Sequence, residues 1–111
     1  MARAATTSDV YNAIAEPRRR AIFELLCEAE RAVNEVVVEL GMDQPSVSKH
    51  LRVLREVDLV TMRRDGRQRI YAANPAALRR VHEWVSQFER MWNRQLDRIK
   101  ASAEKKTRRT K

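Results

Sequence analysis

The stretch that decides the fold is Gln44-Pro45-Ser46-Val47-Ser48-Lys49-His50-Leu51-Arg52-Val53-Leu54-Arg55. Val47, Leu51 and Leu54 recur at helical spacing, and Pro45 suits a first turn capped by Asp43 or Gln44. With those three facing inward, Ser46, Ser48, Lys49 and Arg52 face out. Just upstream, Val33, Val36, Val37 and Leu40 mark a helix of about two turns, and Gly41 supplies the left-handed residue that ends it. Two short helices joined by the tight link Gly41-Met42-Asp43 have the spacing of a helix-turn-helix. In such a unit the second helix enters a DNA major groove, where short polar and positive side chains bond base edges and phosphates. No acidic residue lies between Gln44 and Arg55.

Downstream of Asp58 the period changes from helical to alternating, Val60-Thr61-Met62-Arg63-Arg64 and then Arg67-Gln68-Arg69-Ile70-Tyr71-Ala72, with Asp65-Gly66 between the runs. Asp-Gly in that setting predicts a two-residue hairpin. Arg63, Arg64, Arg67 and Arg69 surround its tip with Asp65 as the opposing charge, which reads as a basic wing along the DNA backbone or minor groove. The plainer role for these arginines is to guard a sheet edge. Upstream, Thr7 and Ser8 offer caps for a first helix to about Ala15. Pro17 opens a second helix with Ile22, Leu25, Leu26 and Ala29 as its apolar stripe, and Cys27 reads as a small buried hydrophobe.

A last long helix is expected from Asn74-Pro75 to about Ala101. Along it Leu78, Val81, Val85, Phe88, Trp92, Leu96 and Ile99 form a stripe that Trp84 and Met91 widen. A helix of some 26 residues is about 40 Å long, too long for its own small domain to cover. A homodimer interface of Val81, Trp84, Val85, Phe88, Trp92 and Leu96 follows as an expectation.

The whole chain has 111 residues, 43% of them apolar and 34% charged, with a net charge of +8. One domain of ordinary size accounts for that length. Residues 44–80 carry 9 basic and 3 acidic side chains (+6) and residues 100–111 carry 6 and 1 (+5), whereas residues 1–43 carry 5 and 8 (−3) and residues 81–99 balance at 3 and 3. The +6 therefore coincides with the helix-turn-helix, the wing and the start of the last helix, as an interface for an anionic polymer requires, while the +5 of the tail reads as a polar end that adds only nonspecific attraction. Residues 1–8 and 102–111 are expected to be disordered, flanking a winged helix-turn-helix dimerising domain over 9–101. With two glycines, two histidines and one cysteine, the chain has little material for a phosphate loop or a catalytic constellation, so it is expected to be no enzyme and to carry no cofactor. No run is apolar enough to span a membrane, residues 1–8 contain no secretory core, and the lone Cys27 forms no internal disulfide, so a cytoplasmic, nucleoid-associated protein is expected.

The string from Gln44 to Val60, followed by Arg63-Arg-Asp-Gly-Arg67 and Tyr71, resembles the ArsR/SmtB family of winged helix-turn-helix repressors over about Val10 to Arg98. The resemblance implies a mainly α fold with a small β-hairpin and a long C-terminal dimerisation helix. It also implies a homodimer that binds a palindromic operator in double-stranded DNA and is released by an effector. By the same resemblance Gln44, Ser46, Ser48, Lys49 and Arg52 fall at or beside the base- and phosphate-contacting positions, and Arg64, Arg67 and Gln68 at the wing tip, with Arg63 and Arg69 flanking them. Metal-sensing members carry a Cys-x-Cys where this chain has Ala32 and Asn34, and others a set of Asp, His, His and Glu where only His82 stands. Metal sensing through those sites is not expected. Asp58 replaces the glycine usual before Leu59-Val60, a change that Asp tolerates in the left-handed conformation. A contrasting possibility is a protein-interaction module that uses the aromatic C-terminal helix, with the winged helix as scaffold. It predicts no salt-dependent DNA affinity.

Overall fold

A computed structural model describes residues 9–109 as, in chain order, α1 (Val10–Ala15), α2 (Pro17–Glu28), β1 (Arg31–Ala32), α3 (Val33–Leu40), α4 (Gln44–Glu56), β2 (Val60–Asp65), β3 (Gln68–Ala73), a 3-10 turn (Pro75–Leu78), α5 (Arg79–Ser86) and α6 (Glu89–Arg109). Asp9 caps α1, its carboxylate accepting the Asn12 N–H at 2.7 Å; the caps expected at Thr7 and Ser8 lie outside the described residues. Glu16 then holds extended backbone and accepts the Arg18 N–H, so that Pro17 starts α2 where its missing N–H costs nothing. The arginines beside it close the preceding helix. Arg19 donates to the carbonyls of Ala13 (2.8 Å) and Asn12 (3.0 Å), and Arg20 to that of Ile14 (2.7 Å), supplying partners that the end of α1 cannot find within itself.

The α2 stripe consists of Ile22, Phe23, Leu25 and Leu26. Ala29, expected within it, is exposed at the C-cap, and Phe23 fills the core instead. Cys27 is likewise exposed rather than buried. Residual desolvation, followed by the Glu24 carboxylate, raises its thiol pKa, which keeps the sulfur protonated and weakly reactive.

In the helix-turn-helix, Gly41 ends α3 at φ 63° and donates its N–H to Val37 at 2.9 Å. Asp43 caps α4 by accepting from Ser46, and Val47, Leu51 and Leu54 are buried as their spacing requires. The exit from α4 is a Schellman turn: Leu59 N–H reaches Leu54 C=O and Asp58 N–H reaches Arg55 C=O, both at 3.0 Å. Asp58 takes the left-handed position at φ 62°, as its short polar side chain permits. Leu59 and Val60 then bury themselves and begin the sheet.

The sheet is antiparallel in the order β1-β3-β2. The β2–β3 register runs from Val60 opposite Ala73 to Asp65 opposite Gln68, so the two-residue loop is Gly66-Arg67, one residue later than Asp65-Gly66. Gly66 at φ 64° occupies the first central position, where glycine serves a tight hairpin. A further short strand, β1, has no periodicity that marks it in the sequence: Arg31 and Ala32 pair with Tyr71 and Ile70 on the other edge of β3. With one edge of β3 covered by β2 and the other partly by β1, Ile70 and Tyr71 are both buried.

The single long helix expected after Asn74-Pro75 is three pieces, because the chain first tightens into the 3-10 turn and then breaks again at Gln87-Phe88. Asn74 does not cap; its side-chain amide donates to Asp58 C=O at 2.9 Å and ties the end of β3 to the exit of α4. At the second break Phe88 N–H bonds Val85 C=O at 3.0 Å, and the Trp84 and Phe88 rings meet edge-on with centroids 5.1 Å apart. Beyond it, α6 continues past the expected end at Ala101 to Arg109, through good helix formers uninterrupted by glycine or proline. The structure divides at Arg80–Val81 into the winged-helix unit and a helical unit. Along the second unit no described residue is fully buried. No helix among the described residues is long and apolar enough to cross a membrane.

Candidate nucleic-acid interface

The residues singled out on α4 sort into two sides. Gln44, Ser48 and Arg52 succeed one another at four-residue spacing and are exposed along the side that faces the wing. Together with Arg67, Gln68 and Arg69 of the hairpin they line one groove of about 400 Å³. Its remaining wall is Ala32, Val33, Asn34 and Tyr71, from β1, the first turn of α3 and β3. Three guanidinium groups and no carboxylate line this groove, so it is a concave positive surface framed by a helix-turn-helix and its wing.

Ser46 sits apart, lining a separate hollow with Pro17, Arg18 and Asp43. Its hydroxyl donates to Asp43 at 2.8 Å, and that bond, followed by the Ser46 backbone N–H, holds the Asp43 carboxyl below its usual range. Ser46 is therefore first a component of the helix cap. Lys49 is exposed and outside the groove. Arg63 also departs from the wing set: it reaches back from β2 to the Glu30 carboxylate, a contact that lowers the pKa of Glu30 and raises that of Arg63. Arg64 and Arg69 stand directly opposite each other across the hairpin. Like charges in that position destabilise a bare sheet, and an anion laid across the wing relieves the repulsion.

His50 lies half-buried at the flank of α4. Desolvation and then the Arg19 guanidinium, with Arg18 and Lys49 acting in the same sense and Glu16 against them, lower its pKa. The fold thus favours the neutral ring. Its stability should be full above the ordinary imidazole pKa of about 6.5 and decline as pH falls through that value towards the lower folded one. Urea midpoints taken from about pH 7.5 to 5.5 should fall for the wild type and less steeply for His50→Gln. Equal slopes would assign the decline to another group.

Of the residues expected at a dimer interface, Val81, Val85 and Phe88 are half-buried, while Trp84 and Trp92 are each 52% exposed and Leu96 61%. Met91 and Ile99 are also exposed. His82 is exposed, its Nε2 3.5 Å from the Ser86 hydroxyl one turn on, and among the described residues no three His, Cys, Asp or Glu side chains gather as a metal site. Two contributors escape a linear search. Glu30 meets Arg63 across 33 residues of sequence, and Asn34 joins the groove only because the fold brings the first turn of α3 beside α4 and the wing. Helical position could have flagged Asn34, which lies on the polar side of α3.

Fold and groove together define a winged helix-turn-helix transcriptional regulator. Residues 16–62 match the family described as bacterial regulatory protein, arsR family. The chain is 36% identical over 86 residues to the HTH-type transcriptional regulator Rv2034 of Mycobacterium tuberculosis, covering 78% of each. It is 27% identical to the transcriptional repressor SdpR of Bacillus subtilis, over 73% of this chain and 90% of that one. It also superimposes on the homodimeric winged helix-turn-helix DNA-binding domain Mb0332 of Mycobacterium bovis with a TM-score of 0.60 and 30% identity, over 72% of this chain and 77% of that one. The chain belongs to the ArsR family of bacterial regulatory proteins.

Proposed function

We propose that the chain is a homodimeric repressor that binds a palindromic operator through the groove between α4 and the wing, and that it does not sense metal through the cysteine sites used by some relatives. The observation that carries this reading is the convergence of Gln44, Ser48, Arg52, Arg67, Gln68 and Arg69 on one positive surface. On this reading Ser48 and Gln44 read base edges, while Arg52 and the wing arginines hold phosphates. Two copies joined through the exposed apolar residues of α6 set their α4 helices into successive major grooves roughly 34–36 Å apart. Repression follows from occlusion of polymerase. The protein acts in the cytoplasm at the nucleoid and performs no catalysis.

The test is fluorescence anisotropy with duplexes that the wild-type protein enriches from a randomised library, beside one arbitrary duplex. Arg67→Ala should weaken both and lower the log–log salt slope by about one unit. Ser48→Ala should cost roughly tenfold on the enriched duplex and little on the arbitrary one. If both variants bind like the wild type, the groove is not the DNA site.

A further inference from the structure

Two walls of the groove belong to α4 and the wing. The third contains Asn34, in the first turn of α3. Its side chain is exposed, and its amide has no hydrogen-bond partner among the described residues. The same holds for Gln44, Ser48, Arg52, Arg67, Gln68 and Arg69, so seven of the ten residues lining the groove carry uncommitted polar groups. The carboxylate nearest in sequence, Glu35, is turned back to accept the Ala32 N–H at 2.9 Å and is not part of the lining. Asn34 therefore faces an environment of guanidinium groups with its own two N–H donors unspent.

We infer that Asn34 is a DNA-positioning residue that donates to a backbone phosphate held between α3 and the wing. This inference rests on the DNA-binding reading above. Base edges lie at the floor of a major groove occupied by the second helix of a helix-turn-helix, whereas the first helix crosses the sugar-phosphate backbone. A neutral amide among three arginines completes a phosphate's bonding without adding charge. Holding that phosphate from the α3 side, opposite Arg67 and Arg69, fixes the depth and register at which Gln44 and Ser48 meet the bases.

Because Asn34 is uncharged it displaces no counterion, which gives its contribution a signature distinct from that of the arginines. Asn34→Ala should weaken the library-enriched duplex and the arbitrary duplex by the same factor, roughly tenfold for a bond to a charged acceptor, with the salt slope unchanged. Asn34→Lys should bind both duplexes at least as tightly as wild type and steepen the slope by about one unit. Asn34→Asp should lose more than Asn34→Ala on both. Thermal melts of the three variants should match the wild type, since the position is exposed. A loss confined to the enriched duplex would make Asn34 a base reader and overturn the phosphate assignment. Wild-type binding by Asn34→Ala, or an unchanged slope in Asn34→Lys, beside weakened Arg52→Ala would overturn it while leaving the DNA reading intact. Wild-type binding by Asn34→Ala and Arg52→Ala alike would overturn both.

Discussion

Trp92→Glu combined with Leu96→Glu should convert the proposed dimer into a folded monomer and lower its affinity for a two-half-site duplex by roughly 10²–10⁴-fold. The size of the effect follows from what α6 presents. Trp92 is 52% exposed, Leu96 61% and Ile99 65%, with Trp84 and Met91 exposed as well. A protein that remained monomeric would rarely leave large apolar side chains spaced four and three residues apart along one helix, as Trp92, Leu96 and Ile99 are, in water. Each large side chain buried between two copies contributes about 1.5–3 kcal/mol, and each appears twice in a symmetric interface. A carboxylate at either position would have to be desolvated without a partner, so the pair of substitutions removes the driving force and adds a penalty. DNA affinity falls because the second half-site contact is no longer intramolecular. Sedimentation at micromolar concentration should show a monomer whose helix content is retained and whose winged-helix unit still melts cooperatively, at a lower temperature because association no longer stabilises it. A double variant that still sediments as a dimer would place the interface elsewhere.

Most of the winged-helix unit was legible in the sequence wherever one physical signal decided one element. Val47, Leu51 and Leu54 share a face because the helical period leaves no alternative, and Gly41 stops α3 because a left-handed residue must stand there. The hairpin was legible to within one residue, since Asp-Gly locates a turn but strand pairing decides which two residues form the loop. Elements that depend on a distant partner were not legible. The strand β1 has two residues and no periodicity of its own, and it exists because β3 offers an edge. Asn74 is a good N-cap by type, yet the Asp58 carbonyl claims its amide. The apolar stripe through Trp84, Phe88 and Trp92 continues across the break at Gln87-Phe88, so the pattern alone gave no sign of it.

The candidate site divides along the same line. Gln44, Ser48, Arg52 and the wing residues Arg67, Gln68 and Arg69 stand out as two local runs of polar and positive residues, and the fold brings them to one groove. Arg63 belongs to the same run, but it is bound to Glu30, which sequence distance conceals. Ser46 looks like its neighbour Ser48, and its commitment to Asp43 emerges only with the cap geometry. Local runs find the surface, and three-dimensional partners decide which of their members remain available to a ligand.

The second large effect is on stability, through the helix that carries the site. Leu54→Ala should destabilise the fold by about 3 kcal/mol, within the 2–5 kcal/mol range for such a truncation at a fully buried position. Leu54 is 0% exposed, and α4 packs against α2, α3 and β2, so the cavity opens where rigid elements meet and little can collapse into it. The backbone there is also committed: Leu54 C=O closes the Schellman turn that aims Leu59 and Val60 into the sheet. Against a typical total of about 5–15 kcal/mol, such a loss is a large fraction, and for a domain of this size it corresponds to a melting temperature lower by about 15 °C. Lys49→Ala, exposed on the same helix, should stay within about 0.5 kcal/mol. Both values are measured by urea denaturation at one fixed protein concentration, because a dimer's apparent stability depends on it. A Leu54→Ala loss below about 1 kcal/mol would mean that α4 is held by its termini rather than by its buried face, and that the groove's geometry does not depend on the core beneath it.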